Sequence, residues 1–323
     1  MNLKLDHQMF LVLNVVIGGL VAASLIGFAL SRRAMSEDRR AAIDNLNARI
    51  RAWWIMIGIF SISFVIGPAG SMLLFAFISL LALREYISLI STTRADHRTL
   101  FWSFFVFTPL QYWFWYQGWY GVAVILIPVY AFLFVPIRLA LAGDTSGFLD
   151  RAARIQWGLM VCVYCISYAP ALLTLEIPNY HRQNAKLLLF LVIVAQLSDV
   201  FQYMWGKLLG KRKIAPAISP NKTWEGFVGG VATAVLLGTS LWWMTPFSPL
   251  QALLMSLAIA LMGFAGGLTM SAIKRDRGVK DFGSTIEGHG GILDRMDSIC
   301  FSAPLFFHLT RWIFISPHPS WFH

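Results

Sequence analysis

Two stretches of the 323-residue chain gather side chains able to do chemistry. In residues 271–298, SAIKRDRGVKDFGSTIEGHGGILDRMDS, the cations Lys274, Arg275, Arg277, Lys280 and Arg295 alternate with Asp276, Asp281, Glu287, Asp294 and Asp297. Asp294 and Asp297, three apart at the start of a predicted last helix, share a face, and Asp281 arrives from the loop. Three carboxylates converging on one spot repel each other unless a cation joins them, and an oxygen-only ligand set suits Mg²⁺. Gly288-His289-Gly290-Gly291 lets the backbone pass close to a ligand and present N–H groups at a helix N-terminus, a favourable place for phosphate. Carboxylates for a metal beside lysines and arginines for phosphate are what phosphoryl and nucleotidyl transfer require. Charges serving only to orient the chain would need no acids and no glycines.

The other stretch is 198–230, SDVFQYMWGKLLGKRKIAPAISPNKTWEGFVGG. Asp199 falls about two turns inside the end of an apolar run, where a carboxylate is costly unless it binds a cation, faces a cavity or pairs with a Lys or Arg. Further on, Ser219, Asn221 and Lys222 precede a helix start at Thr223. Such a group could hold a nucleotide or a phosphate. By itself it is a weak signal.

These groups need elements to hold them, and the composition says which. The chain is 57% hydrophobic and only 13% charged, which excludes both an ordinary soluble domain and a disordered one. Apolar runs near 8–30, 52–68, 70–90, 100–117, 119–140, 155–175, 185–206, 225–245, 249–272 and 297–316 predict an all-α polytopic transmembrane bundle of about ten spans. No run alternates as a membrane barrel requires. Lys and Arg crowd alternate loops, among them Arg32–Arg51, Lys207–Lys222 and Lys274–Arg295. The other side holds only Lys4, Arg182, Lys186 and Arg311. The rich side is expected in the cytoplasm and both termini outside. Positive charges follow the first span rather than precede it, so a retained helix is expected instead of a cleaved signal. Two regions result: 1–51, a first span with a basic connector, and 52–323, the multi-helix catalytic region with site loops at about 198–230 and 271–298. Residues 31–51 read either as a short helix on the membrane surface, with Ser36 as N-cap, or as a solvated connector. Cys162, Cys165 and Cys300 read as buried small hydrophobes.

Taken together, the two loops resemble the phosphatidate cytidylyltransferase (CDP-diacylglycerol synthase) family. The resemblance rests on Ser271-x-Ile-Lys-Arg-x4-Lys280-Asp281-x-Gly283-x2-Ile286, then His289-Gly-Gly-Ile-x-Asp294-Arg295-Met-Asp297. The Ser219-Pro-x-Lys-Thr-Trp-Glu-Gly226 segment and the Asp199…Tyr203-x2-Gly206 pattern add to it. It covers about residues 195–300 specifically and the helices from about 70 onward in kind. Glu287 and Gln202 depart from the family pattern.

The resemblance implies that CTP and phosphatidate give CDP-diacylglycerol and pyrophosphate, with Mg²⁺ required and a second cation left open. Asp281, Asp294, Lys280, Arg295 and His289 are then the expected catalytic group, His289 as a phosphate or metal-shell donor. Ser219, Lys222, Lys274, Arg275, Gly290 and Gly291 would bind substrate, and Asp199, Asp281, Asp294 and Asp297 the metal. Membrane lipid is an expected partner, nucleic acid is not, and a homodimer is left open. The expected location is a bacterial inner membrane, with the site facing the cytoplasm. Glu287 and Gln202 leave room for a different lipid phosphate as acceptor. A transporter using Asp199 as an ion site is a competing class; against it, the charges gather at one interface and no repeat is visible.

Overall fold

The structure, a computed structural model, describes residues 7–32, 36–286, 288 and 290–315. Glu287 and His289 lie outside the described residues. The chain runs through helices α1 (His7–Ser31), α2 (Glu37–Ile66), α3 (Pro68–Ser88), α4 (97–116), α5 (Tyr120–Ala140), α6 (Phe148–Thr174) and α7 (Ala185–Leu209). A two-stranded antiparallel hairpin follows, β1 (Lys213–Ala215) and β2 (Ser219–Thr223), then α8 (Trp224–Ser240), α9 (Pro249–Asp276) and α10 (Leu293–Phe314).

Seven of these are long and apolar enough to cross a membrane: α1, the 43–66 part of α2, α3, α5, α6, α7 and α9. That is fewer than the ten spans expected. At 17 residues α8 is short for a crossing. Polar and charged residues dilute α4 and α10, the latter opening with Asp294, Arg295 and Asp297. The protein is a helical, polytopic integral membrane protein.

Residues 37–57 contain no Gly or Pro, and the connector from 37 onward is helical rather than irregular. It is the first half of α2, one continuous helix running into the second apolar run, with Ser36 at the N-cap. Between α2 and α3 the chain turns at Gly67 (φ 95°) and restarts on Pro68, whose fixed φ and missing N–H suit a first helical position.

α6 threads the centre of the bundle, while α1 lies at its edge against α2. Trp115 of α4, Tyr168 of α6 and Phe307 of α10 meet edge to face at 5.1–5.2 Å. Behind them Ser167 Oγ accepts from both Gln111 Nε2 (3.2 Å) and Trp115 Nε1 (3.0 Å). The three cysteines are free, with Cys162 and Cys300 buried in this core. α4, α5 and α6 each carry a widened π turn, at 103–107, 126–131 and 160–165. The first precedes Pro109 and the second contains Pro128, residues without an N–H to donate.

The functional end is made by α7, α8, α9 and α10. Each packs on the next, and α7 also touches α9 and α10. Small residues bring α7 and α8 together: a Cβ built at Gly226 would stand 2.8 Å from both the Gly206 Cα and the Gln202 carbonyl oxygen.

Candidate active site

Both charged loops emerge at the same end of this four-helix group and are tied together. Arg275 Nε, at the end of α9, donates to the Ile218 carbonyl in the hairpin (3.2 Å), and its Nη1 donates to Val279 O (3.0 Å). The hairpin is closed onto α8 by Thr223, the N-cap, whose hydroxyl accepts from Gly226 N (3.1 Å). Glu225 accepts from the N–H groups of Lys211 and Arg212 (3.0 and 3.1 Å). The hairpin thereby delivers Lys222 to the face of α9.

Lys222 is partly buried, its Nζ 4.6 Å from the centre of the Phe264 ring, and it makes no ion pair or hydrogen bond among the described residues. Burial pulls its ammonium below the ordinary lysine range; Asp199 and Asp297 oppose that pull, and Lys274 adds to it. Asp199 on α7 and Asp297 on α10 are joined by Ser298, whose hydroxyl donates to Asp199 Oδ2 and lies 3.4 Å from Asp297 Oδ1. Ser298 N–H also donates to Asp297 Oδ1 (2.8 Å). Arg295 lies within electrostatic reach of both acids, with its Nε buried and unpartnered. The cluster therefore brings together two carboxylates and two cations that form no ion pair with each other among the described residues.

Asp294 behaves differently. Its Oδ1 accepts from Lys274 Nζ (2.7 Å), and its Oδ2 accepts from the N–H groups of Phe282 (2.8 Å) and Gly291 (2.9 Å). The pair is enclosed, with side-chain exposures of 11% for Lys274 and 3% for Asp294. Gly290, at φ 80°, passes between the two loop acids: a Cβ there would stand 3.0 Å from Asp294 Oδ2 and 3.3 Å from Asp281 Cβ. Asp281 and Lys280 are exposed on the loop.

Two expectations need correction. Asp199, Asp281, Asp294 and Asp297 do not converge: among the described residues no three His, Cys, Asp or Glu gather closely enough to hold a metal ion. They form two pairs, Asp281 with Asp294 and Asp199 with Asp297. Residues three apart on a helix are offset by about 60°. That offset turns Asp294 back to the loop and Asp297 toward α7. The helix N-terminus of α10 is not open to phosphate either. Gly291 N–H is spent on Asp294, and the N–H groups of Ile292 and Leu293 are spent on a carboxylate the motifs did not indicate, Glu85 of α3.

Of the remaining expected residues, Ser219 opens β2 opposite Ala215 and is half-buried like Lys222, with an irregularity in the strand pairing between them. His289 lies outside the described residues. Gln202 donates from Nε2 to Ser198 Oγ (2.9 Å) along its own helix, and its backbone lines the α7–α8 contact.

The donor set of the Asp199–Asp297 pair fits a hard divalent cation. One oxygen of each carboxylate, Asp199 Oδ1 and Asp297 Oδ2, makes no hydrogen bond among the described residues. Mg²⁺ is commonly held by one or two carboxylates together with substrate phosphates.

Helices long and apolar enough to cross a membrane, with cations and acids clustered where four helices meet, make an integral membrane protein with a charged site at one end of the bundle. The family model for the cytidylyltransferase family matches residues 47–313. The chain belongs to that family and is a nucleotidyltransferase. It is 43% identical to the uncharacterized protein YnbB of Escherichia coli strain K12, over 82% of this chain and 87% of that one. It is 33% identical to the phosphatidate cytidylyltransferase of Bacillus subtilis strain 168, over 82% and 94%. Over 36% of this chain and 46% of the relative, it is 41% identical to the phosphatidate cytidylyltransferase of Staphylococcus aureus strain COL.

Proposed function

We propose that the chain makes CDP-diacylglycerol and pyrophosphate from CTP and phosphatidate, at the cytoplasmic face of a bacterial inner membrane. One observation carries the reading. Lys222 and Arg295, two partly buried cations without ion-pair partners among the described residues, lie within electrostatic reach of the Asp199–Asp297 carboxylates where four helices meet. Unpaired cations in such a place favour an anion, and paired carboxylates favour a cation, so together they suit a metal–polyphosphate substrate.

The lipid's phosphate monoester is largely ionised at neutral pH, its second pKa being about 6, so it needs no strong general base to attack the α-phosphorus of CTP. The difficulty is bringing two polyanions together. Lys222 and Arg295 offset the negative charge of the triphosphate and favour departure of pyrophosphate. Asp199 and Asp297 would hold Mg²⁺, which when bound draws charge from the reacting phosphate oxygens. Asp294 orders the loop that presents Asp281 and Lys280.

The test is turnover by the purified chain with labelled CTP, Mg²⁺ and a panel of lipid phosphates, the products identified by mass. Phosphatidate-dependent CDP-diacylglycerol with equimolar pyrophosphate is the expected result. Turnover with another lipid phosphate but not with phosphatidate would move the reading to a different acceptor. No CTP consumption with any acceptor would end it.

A further inference from the structure

Glu85 lies in α3, about two hundred residues before the loop it touches, and is only 7% exposed. Its Oε1 accepts from the Thr285 hydroxyl (2.6 Å) and the Ile292 N–H (3.0 Å), and its Oε2 accepts from the Leu293 N–H (2.9 Å). We propose that Glu85 is a positioning residue for the nucleotidyl-transfer site, fixing the 280–294 loop against the start of α10.

A carboxylate at a helix N-terminus takes the donors that the helix cannot satisfy itself and sits at the positive end of its dipole. Here that anion is supplied by a different helix, so the bond sets the distance between α3 and α10 as well as capping the latter. The loop is shaped to admit it. A Cβ at Gly283 would stand 2.9 Å from Glu85 Oε1, and one at Gly291 would overlap the carboxylate outright. Two glycines of the charged motif are thus accounted for by a residue far outside it. Asp294 pins Phe282 and Gly291 from within the motif while Glu85 pins residues 285, 292 and 293, leaving Lys280 and Asp281 just before the clamp and Asp294, Arg295 and Asp297 just after it. Arg49 of α2 holds the apex, its Nε donating to Gly288 O (3.1 Å).

This inference rests on the nucleotidyl-transfer reading, so its test has one readout that needs no turnover. In full-length protein in detergent, Glu85→Gln is expected to speed hydrogen exchange in the 280–294 segment and leave α7 and α9 unchanged. Uniform exchange change across the bundle, or none, would overturn the proposal whatever reaction the enzyme runs. With CTP and phosphatidate, Glu85→Gln should lower kcat about a hundredfold with little change in KM for CTP. Thr285→Val, at an exposed position where folding is not at risk, should lower kcat about tenfold, and Thr285→Ser should restore it. Wild-type kcat in Thr285→Val would overturn the proposal even if Glu85→Gln failed to fold. An inactive wild-type protein with loop-confined exchange in Glu85→Gln would count against the proposed reaction and leave the positioning role supported.

Discussion

Asp294 and Asp199 are both acids near the membrane boundary, yet their surroundings give opposite consequences for the same substitution. Asp294→Asn would leave the enclosed Lys274 ammonium without its partner and weaken the grip on two backbone N–H groups. Breaking a buried pair in this way costs about 3–5 kcal/mol, so this variant should lose thermal stability as well as turnover. Asp199→Asn breaks no ion pair among the described residues, where the direct partner of Asp199 is the Ser298 hydroxyl. It should melt at or above the wild-type temperature while losing turnover by orders of magnitude. Thermal unfolding and an initial-rate assay on the two proteins would decide. A stable Asp294→Asn, or an active Asp199→Asn, would show that the division of labour between them is wrong. The types of these residues were legible in the sequence because acids interleaved with cations stand out in an apolar chain. Their partners were not, since a backbone N–H donor leaves no trace in a motif. Glu85 stands beside Arg84 near the end of the 70–90 apolar run, in no motif. The signal was nevertheless present, as a lone carboxylate inside an apolar run, the argument that singled out Asp199.

Among the elements, helix identity was the easiest thing to read and local departures from helix the hardest. The apolar runs mark the helices because lipid allows little else. Thr223 was expected to start a helix and does. The hairpin before it was not anticipated, as Lys213–Ala215 and Ser219–Thr223 are too short and polar to show a strand pattern. That hairpin matters because it carries Lys222 to Gly267 of α9, where a Cβ would stand 3.0 Å from the Lys222 Nζ and 3.8 Å from Asp297 Oδ2. An ammonium at the end of a flexible chain can move aside, so Gly267→Ala should keep its melting temperature within about 3 °C. The displaced charge should nonetheless lower kcat/KM for CTP about tenfold. Gly230→Ala offers the contrast. Its Cβ would stand 2.5 Å from the Gln202 backbone nitrogen, which cannot move without parting α7 from α8, so destabilisation should dominate. Equal melting temperatures for the two variants would contradict this account of the helix contacts.

At the scale of the whole molecule, the site has a side. Arg275 joins the two site loops, and those loops belong to the set that holds most of the chain's lysines and arginines. If the basic loops lie in the cytoplasm, as the proposed reaction requires, the charged site lies there as well, on the side where a cytoplasmic nucleotide would arrive. Two exposed positions report on this arrangement: Arg182, between α6 and α7, and Asp276, at the end of α9. In a background with Cys162, Cys165 and Cys300 replaced by Ala, a membrane-impermeant maleimide should label Arg182→Cys in intact cells. Asp276→Cys should be labelled only after permeabilisation. The seven spans supported by length and composition do not fix this outcome, because whether α4, α8 and α10 cross fully decides how many times the chain changes sides. Labelling of Asp276→Cys in intact cells would place the pocket on the outer face, away from cytoplasmic CTP, and remove the physical basis for the proposed reaction even if every helix contact described above were correct.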